Sequence, residues 1–149
     1  MIEGVVIKQL TKYEDARGWL AEIYRSDETD YRFPMAYISA TKPGVARGPH
    51  EHKKQSDCFV FLGPGNFELY LWDGRAESKT KGEHEKAQYG EKNPAMIIVP
   101  PGVIHGYKNI SPVDAWCINL PDKLYKGEGK KEEIDDIRWE EKADSPYKI

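Results

Sequence analysis

The sequence predicts an all-β protein built as a double-sheet jelly roll. Its pattern shows about eight short extended segments at even spacing, Gly and Pro between them, and almost no 3.6-residue periodicity. Among antiparallel folds, the jelly roll leaves a mouth lined by inward-facing side chains. The 149 residues fit one domain. We expect its core to run from about residue 2 to residue 125, followed by a charged tail over residues 126–149.

The expected strands follow from alternating or continuous apolar runs. An edge strand is predicted at residues 5–10, then a turn at residues 13–18 and an extended segment at residues 19–24. Later strands are expected at residues 35–41, 58–62, 67–72, 95–99 and 115–120, with a short strand around residues 87–89. The sequence also predicts a short helix near residues 131–139.

Composition excludes several classes of function. The net charge is −3 and the basic residues are scattered, which argues against a nucleic-acid surface. No apolar run approaches the roughly 18–20 residues of a membrane helix, and the N-terminus lacks the pattern of a signal peptide. Cys58 and Cys117 each lie inside an apolar run, so buried free thiols in a reducing cytoplasm are expected.

The candidate chemistry lies in two stretches that hold three of the chain's 4 histidines. His50 and His52 stand two residues apart, so a strand would place both rings on one face, roughly 6–7 Å apart. Two such rings can share a metal ion or a substrate; a hydrogen-bonded surface pair is the alternative. His105 follows a Pro-Gly turn and favours a joint site. His84 lies in a charged loop and has no predicted role.

Arg47 and Arg75 are candidate anion-binding residues. Each adjoins a glycine, which lets the backbone approach a ligand closely. A guanidinium fork suits phosphate. For either residue alone, a surface arginine paired with a carboxylate is the simpler interpretation.

Four motifs resemble those of the dTDP-4-dehydrorhamnose 3,5-epimerase family, in the same order. They are DxRG at residues 15–18, RGxH at residues 47–50, DGRxxSxT at residues 73–80 and PxGxxHxxxN at residues 100–109. The resemblance extends from Ile2 to about Tyr125. Those enzymes are cupins, so the resemblance implies a cupin jelly roll.

The resemblance implies a metal-free enzyme, with no cofactor, that acts on a TDP-4-keto-6-deoxyhexose. His50 matches the base that removes a proton beside the 4-keto group, a task that suits a histidine. His105 and Arg47 match residues near the sugar that stabilise the developing oxyanion. Arg17 and Arg75 match positions associated with the nucleotide phosphates. The remaining expected substrate contacts are His52, Gln55 and Tyr107, in a homodimer whose neighbouring subunit completes the pocket.

The chain departs from the family pattern at three places. Asp57 stands where the family has a lysine. The strand after the second motif has Cys117 or Ile118 where the family has the tyrosine that acts as the opposite-face acid, and Tyr125 is a possible substitute. Asp135 and Asp136 are the candidates for the aspartate that supports the base.

Three alternatives remain open. The RGxHxH of residues 47–52 also resembles the TDP-4-keto-6-deoxyglucose 3,4-ketoisomerases. A metal-dependent cupin would use His50, His52, Asp57 and His105 as ligands for iron, manganese, nickel or zinc. The pocket could also bind a sugar nucleotide without converting it, because a fold does not determine a function.

Overall fold

A computed structural model describes all residues, 1–149. It contains twelve β-strands and one short 3-10 turn at Glu128–Lys130. No helix in it is long and apolar enough to cross a membrane. The strands are β1 (Val6–Gln9), β2 (Tyr13–Asp15), β3 (Gly18–Leu20), β4 (Tyr37–Thr41), β5 (Ala46–Glu51), β6 (Asp57–Phe61), β7 (Asn66–Asp73), β8 (His84–Gly90), β9 (Ala95–Val99), β10 (Val103–Asn109), β11 (Ala115–Asn119) and β12 (Ile137–Arg138).

The strands form two five-stranded antiparallel sheets and one small hairpin. The first sheet has the order β1-β9-β6-β11-β4, and the second has the order β12-β5-β10-β7-β8. Strands β2 and β3 pair only with each other. The prediction of an all-β jelly roll is confirmed.

The core lies between the two sheets because their strands present alternate residues to it. Along β7, Phe67, Leu69 and Leu71 are buried while the residues between them are only half-buried. The facing strand β6 contributes Phe59 and Phe61, and the Phe61 and Phe67 rings lie 5.2 Å apart. Full burial of such side chains contributes about 1.5–3 kcal/mol each. This aromatic packing holds the two sheets in register beneath the candidate site.

The predicted turn at residues 13–18 is wrong in detail. Residues 13–15 and 18–20 pair as a hairpin, and the expected strand over residues 19–24 ends at Leu20. The hairpin closes tightly because the Asp15 carboxylate accepts the backbone N–H of Arg17 at 2.8 Å. All six strand residues of the hairpin are exposed, so it extends away from the sandwich. The short strand expected at residues 87–89 is longer, since β8 pairs along β7 from Asn66 to Trp72.

The predicted helix near residues 131–139 is absent. Instead, β12 pairs with β5, placing Ile137 opposite Glu51 and Arg138 opposite His50. The indole N–H of Trp139 donates to the Glu51 carboxylate at 3.1 Å. An exposed sheet edge offers unpaired backbone N–H and C=O groups. The tail forms backbone hydrogen bonds with the edge of β5, whereas a short isolated helix would be only marginally stable in water. The tail therefore lies beside the histidine-bearing strand.

Candidate active site

A cavity of about 890 Å³ lies between the two sheets. Tyr37 and Ser39 of β4 line it from the first sheet, and Arg47 and His50 of β5 line it from the second. Part of the C-terminal tail, including Asp135, completes the wall. The cavity thus has a wall from each sheet and a third wall from the tail.

Gly48 lets β5 approach β10 closely beside the histidines. Its φ is +82°, in the region that favours glycine. A Cβ at this position would lie 2.7 Å from the His105 carbonyl oxygen and 3.0 Å from His50 Nδ1. The glycine of the RGxH motif is therefore required for His50 and His105 to lie opposite each other, as their strand register shows.

Asp57 is the centre of the polar cluster. Its buried carboxylate accepts four hydrogen bonds. Oδ2 accepts from His105 Nε2 at 3.1 Å and from His52 Nε2 at 3.2 Å. Oδ1 accepts from Gln55 Nε2 at 2.9 Å and from Asn119 Nδ2 at 3.0 Å. Burial alone would raise the pKa of Asp57, but the hydrogen bonds from His105 and His52 hold it well below its usual value.

Each ring nitrogen of His52 and His105 lies within hydrogen-bonding distance of an oxygen atom. His52 Nδ1 donates to the Asp135 carbonyl oxygen, and His105 Nδ1 lies 2.9 Å from the Val103 carbonyl oxygen. Burial opposes a charge on His52, but its hydrogen bond to Asp57 and the charge of that carboxylate raise its pKa to about 9. His52 is therefore a fixed positive charge at neutral pH.

His50 differs from the other two histidines because neither of its ring nitrogens bonds to another residue. Its ring centroid lies 4.6 Å from that of His105 and 5.5 Å from that of His52. Burial, together with those two neighbouring rings, lowers the pKa of His50 to about 3. The ring is neutral at physiological pH, and a nitrogen lone pair is available. Environments that separate the pKa values of adjacent groups give them different roles, here a neutral ring at His50 and a charged ring at His52.

The predicted arginines occupy three different environments. Arg47 lines the cavity, where its Nε donates to Thr41 Oγ1 at 2.8 Å. Arg75 lies outside the cavity and is paired with Asp73 at 2.8 Å. Arg17 pairs with Asp15 on the hairpin, and its side chain is 90% exposed. Of these three arginines, only Arg47 lies beside the histidines within one chain.

The tail contributes to the site through Asp135. Its carboxylate accepts the backbone N–H groups of Lys53, Lys54 and Gln55 at 3.0, 2.8 and 3.1 Å. These contacts hold the loop between His52 and Asp57. Asp135 was a candidate to support His50, but the structure places it against His52 and this loop.

Tyr107 and Tyr125 also line the cavity. Tyr107 is buried, and its ring packs 5.0 Å from that of Phe67. Cys117, at one of the two positions considered for the family tyrosine, is a buried free thiol, as is Cys58. His84 lies away from the cavity and stacks on Trp72 at 4.9 Å.

Sequence reasoning missed Tyr37, Ser39 and Asn119. Asn119 had one usable signal, since it is an amide inside an apolar strand and a buried polar group needs partners. The two β4 hydroxyl groups had none, because strand pairing across the sheet brings them to the site.

The histidine–aspartate cluster fits a transition-metal ion. His50, His52, Asp57 and His105 each offer one ligand atom, and these atoms lie within 4.8 Å of one another. Three imidazoles and a carboxylate are a common donor set. The carbonyl contacts at His52 and His105 Nδ1 leave Nε2 facing the centre, as in many metal sites. A bound ion would polarise a substrate oxygen as a Lewis acid.

Comparisons with known proteins agree on one family. The family model described as dTDP-4-dehydrorhamnose 3,5-epimerase matches residues 1–143. The spore coat polysaccharide biosynthesis protein SpsL of Bacillus subtilis is 36% identical over 144 residues, covering 96% of this chain and 93% of SpsL. The probable low-salt glycan biosynthesis epimerase Agl13 of Haloferax volcanii is 37% identical over 135 residues, covering 89% and 86%.

A solved structure agrees in fold. The dTDP sugar isomerase of Desulfovibrio desulfuricans G20 superposes with a TM-score of 0.83 at 22% identity, covering 99% of this chain and 91% of the other. The family match extends over the strands that carry His50, Asp57 and His105. The chain belongs to the dTDP-4-dehydrorhamnose 3,5-epimerase family and is a sugar isomerase of that family.

Proposed function

We propose that the protein epimerises a nucleotide-activated 4-keto-6-deoxyhexose by removing a proton from a carbon beside the keto group. The observation that carries this proposal is His50, a neutral imidazole on the cavity wall whose ring nitrogens have no protein partner. Relatives that are named for polysaccharide and glycan biosynthesis support a nucleotide-sugar substrate.

The proposed reaction begins with proton transfer from C3 or C5 of the sugar to His50. The 4-keto group accepts the electron pair and becomes an enolate. A positioned base of this kind contributes about 10²–10⁴-fold to the rate. Burial and the neighbouring rings oppose protonation of His50 in the empty site. The positive charges of His52 and Arg47 would stabilise the negative enolate. Since Asp57 and Asp135 hold His52 in place, this charge needs no rearrangement during the reaction.

Proton exchange tests the proposal directly. The EDTA-treated protein is incubated with TDP-4-keto-6-deoxyglucose in D2O, and the C3 and C5 signals are followed by NMR. We expect exchange in the wild type and none in the His50→Ala variant, with circular dichroism showing an intact fold. His84→Ala is the matched control, because it removes an imidazole outside the cavity. Exchange at an unchanged rate in His50→Ala would remove His50 from the base role.

The same spectra separate the alternatives. Exchange at both carbons supports a 3,5-epimerase. Exchange at C3 alone supports a 3-epimerase or a 3,4-ketoisomerase, which product analysis distinguishes; the second ring, His52, beside His50 is the feature that favours the ketoisomerase. No exchange, with a metal ion in the untreated protein, would support the metal-dependent cupin. No exchange, no metal and tight binding of the nucleotide sugar would support a binding protein.

We also propose a homodimer formed through the β4 side of the first sheet. Strand β4 is an edge strand that pairs only with β11. Ile38 on β4 is 58% exposed and Trp116 on β11 is 47% exposed, so an apolar sheet edge lies uncovered. Pairing of two copies would cover such an edge. The exposed hairpin would then be free to bring Arg17 to the cavity of the partner.

The proposed compartment is the cytoplasm, and the proposed partners are limited to the nucleotide sugar and a second copy of the chain. The two free thiols support a reducing compartment. The charge balance of −3 with scattered basic residues supports the absence of a nucleic-acid partner.

A further inference from the structure

Inversion of a carbon needs a proton donor on the face of the sugar opposite the base. His50 lies on β5 in the second sheet, so the donor is expected on the first sheet. Strand β4 of that sheet presents Tyr37 and Ser39 to the cavity. They stand two residues apart and therefore share a face of the strand. Both carry a hydroxyl group, the type of side chain that can donate a proton or a hydrogen bond there.

The oxygen of the Tyr37 hydroxyl accepts one hydrogen bond, but its O–H donates to no group of the protein. Asn119 Nδ2 donates to Tyr37 Oη at 2.8 Å, and Tyr37 donates to no protein group. Tyr31 and Tyr24, which are half-buried, differ: Tyr31 donates to the Leu120 carbonyl oxygen at 2.7 Å and Tyr24 donates to the Tyr31 carbonyl oxygen at 2.8 Å. The O–H of Tyr37 is therefore available to a molecule in the cavity.

Asn119 is held in the orientation that this contact needs. It lies opposite Tyr37 in the β4–β11 register. Its Oδ1 accepts the backbone N–H of Cys58 at 3.1 Å, and its second amide contact goes to Asp57 Oδ1 at 3.0 Å. The amide cannot rotate without placing its NH2 group against the Cys58 N–H. Asn119 is thus a fixed donor to the phenol oxygen, and it links the phenol to Asp57.

We propose that Tyr37 is the acid that delivers the second proton of the epimerisation, with Asn119 as its positioning residue. This inference rests on the proposed function. His50 takes the proton from the carbon, leaving the electron pair in the enolate. The enolate pair then forms a new C–H bond with the phenol proton on the opposite face, and the O–H electrons stay on Tyr37 as a phenolate. After product release, water removes the proton from His50 and returns one to Tyr37.

The surroundings of Tyr37 suit both halves of this cycle. Burial raises the pKa of Tyr37, so the phenol keeps its proton until the enolate forms. The Asn119 N–H opposes this shift, and its hydrogen bond strengthens when the oxygen becomes negative. Arg47 lines the same cavity and adds a positive charge. Tyr37 and Tyr125 are similarly exposed, at 47% and 50%, but only the Tyr37 hydroxyl is held by a fixed side-chain donor.

The test separates removal of the first proton from return of the second. Wild type, Tyr37→Phe and Tyr125→Phe are compared with TDP-4-keto-6-deoxyglucose in D2O, measuring both deuterium incorporation and the amount of inverted sugar. We expect Tyr37→Phe to keep deuterium exchange within about threefold, with retained configuration, while inversion falls about 10²-fold or more. Tyr125→Phe should not separate the two measurements, so any change should affect exchange and inversion by the same factor.

Unchanged inversion in Tyr37→Phe would overturn the proposal, and loss of inversion in Tyr125→Phe alone would assign the acid role to Tyr125. Equal loss of exchange and inversion in Tyr37→Phe, with an intact fold, would also overturn it, since Tyr37 would then act before the enolate forms. Failure of the proposed function is distinct, because the wild type itself would show no exchange.

Discussion

Replacement of Asp57 by asparagine removes a single negative charge at the centre of the site and nearly preserves its shape. If the amide oxygen takes the place of Oδ1, it still accepts from Gln55 and Asn119. The NH2 group then faces Nε2 of His52 and His105, and each ring can accept this N–H while Nδ1 still donates to its carbonyl. The variant can therefore fold with every hydrogen-bonding group paired, but His52 no longer gains a proton.

The stability effect follows from His52. Its pKa is raised from 6.5 to about 9, and each pKa unit corresponds to about 1.4 kcal/mol, giving about 3 kcal/mol. Because the folded-state pKa is raised, this stabilisation is fully present below pH 6.5 and is lost as pH rises through 9. Relief of a buried charge offsets part of the loss in the variant. We expect Asp57→Asn to be less stable than the wild type by about 2–3 kcal/mol at pH 6 and nearly equal to it above pH 9.

Urea unfolding at pH 6 and pH 9.5 measures this difference, with the exposed Asp144→Asn as the control for charge removal alone. Proton exchange of the sugar at pH 7 should fall about 10²–10³-fold in Asp57→Asn, the usual effect of losing an oxyanion-stabilising group. A stability difference that does not depend on pH would refute the assignment of His52 as the fixed charge. A stoichiometric metal ion that is present in the wild type and lost in Asp57→Asn would show that Asp57 is a ligand instead.

Two further predictions concern the pH profile and the assembly. Removing the His52 charge in His52→Gln should raise the pKa of His50, because a charge 5.5 Å away contributes about 3 kcal/mol, or about two pH units, at an effective dielectric constant of 20. His50 must be unprotonated to act as a base, so the acid limb of kcat/KM should move to higher pH; a limb that stays in place would contradict the assignment. For the dimer, Trp116→Glu should convert the protein to monomers in multi-angle light scattering, and a wild-type protein that is already monomeric would exclude this interface.

The strands of the core could be predicted from sequence because their signal is local. Alternating residues such as Phe67, Leu69 and Leu71 define a buried face without reference to any other part of the chain. The proximity of His50 and His52 could also be predicted from a local signal, because their two-residue spacing places both side chains on one face of a strand. His105 follows from the order of turns and strands in a jelly roll.

The rest of the site depends on contacts between distant residues. Tyr37 reaches the cavity only because β4 pairs with β11, and no local pattern reports that pairing. Asp135 belongs to a charged tail without periodicity, and its role appears only when β12 adds to the edge of β5. Arg75, unlike Tyr37 and Asp135, lies in a recognisable local motif. Its motif suggested a phosphate contact, but within the chain its guanidinium is paired with Asp73 and donates to the Glu3 carbonyl oxygen at 2.6 Å.

We expect the contact between Asp135 and the His52 loop to form late in folding. The two segments are separated by 83 residues along the chain, and closure of such a long loop is entropically unfavourable until many other contacts have formed. A folding intermediate in which both sheets have formed but the tail is undocked would hold His52 without its carbonyl partner. Such an intermediate would have the shape of the enzyme but an incomplete charge arrangement, so catalytic competence should emerge as one of the last steps of folding.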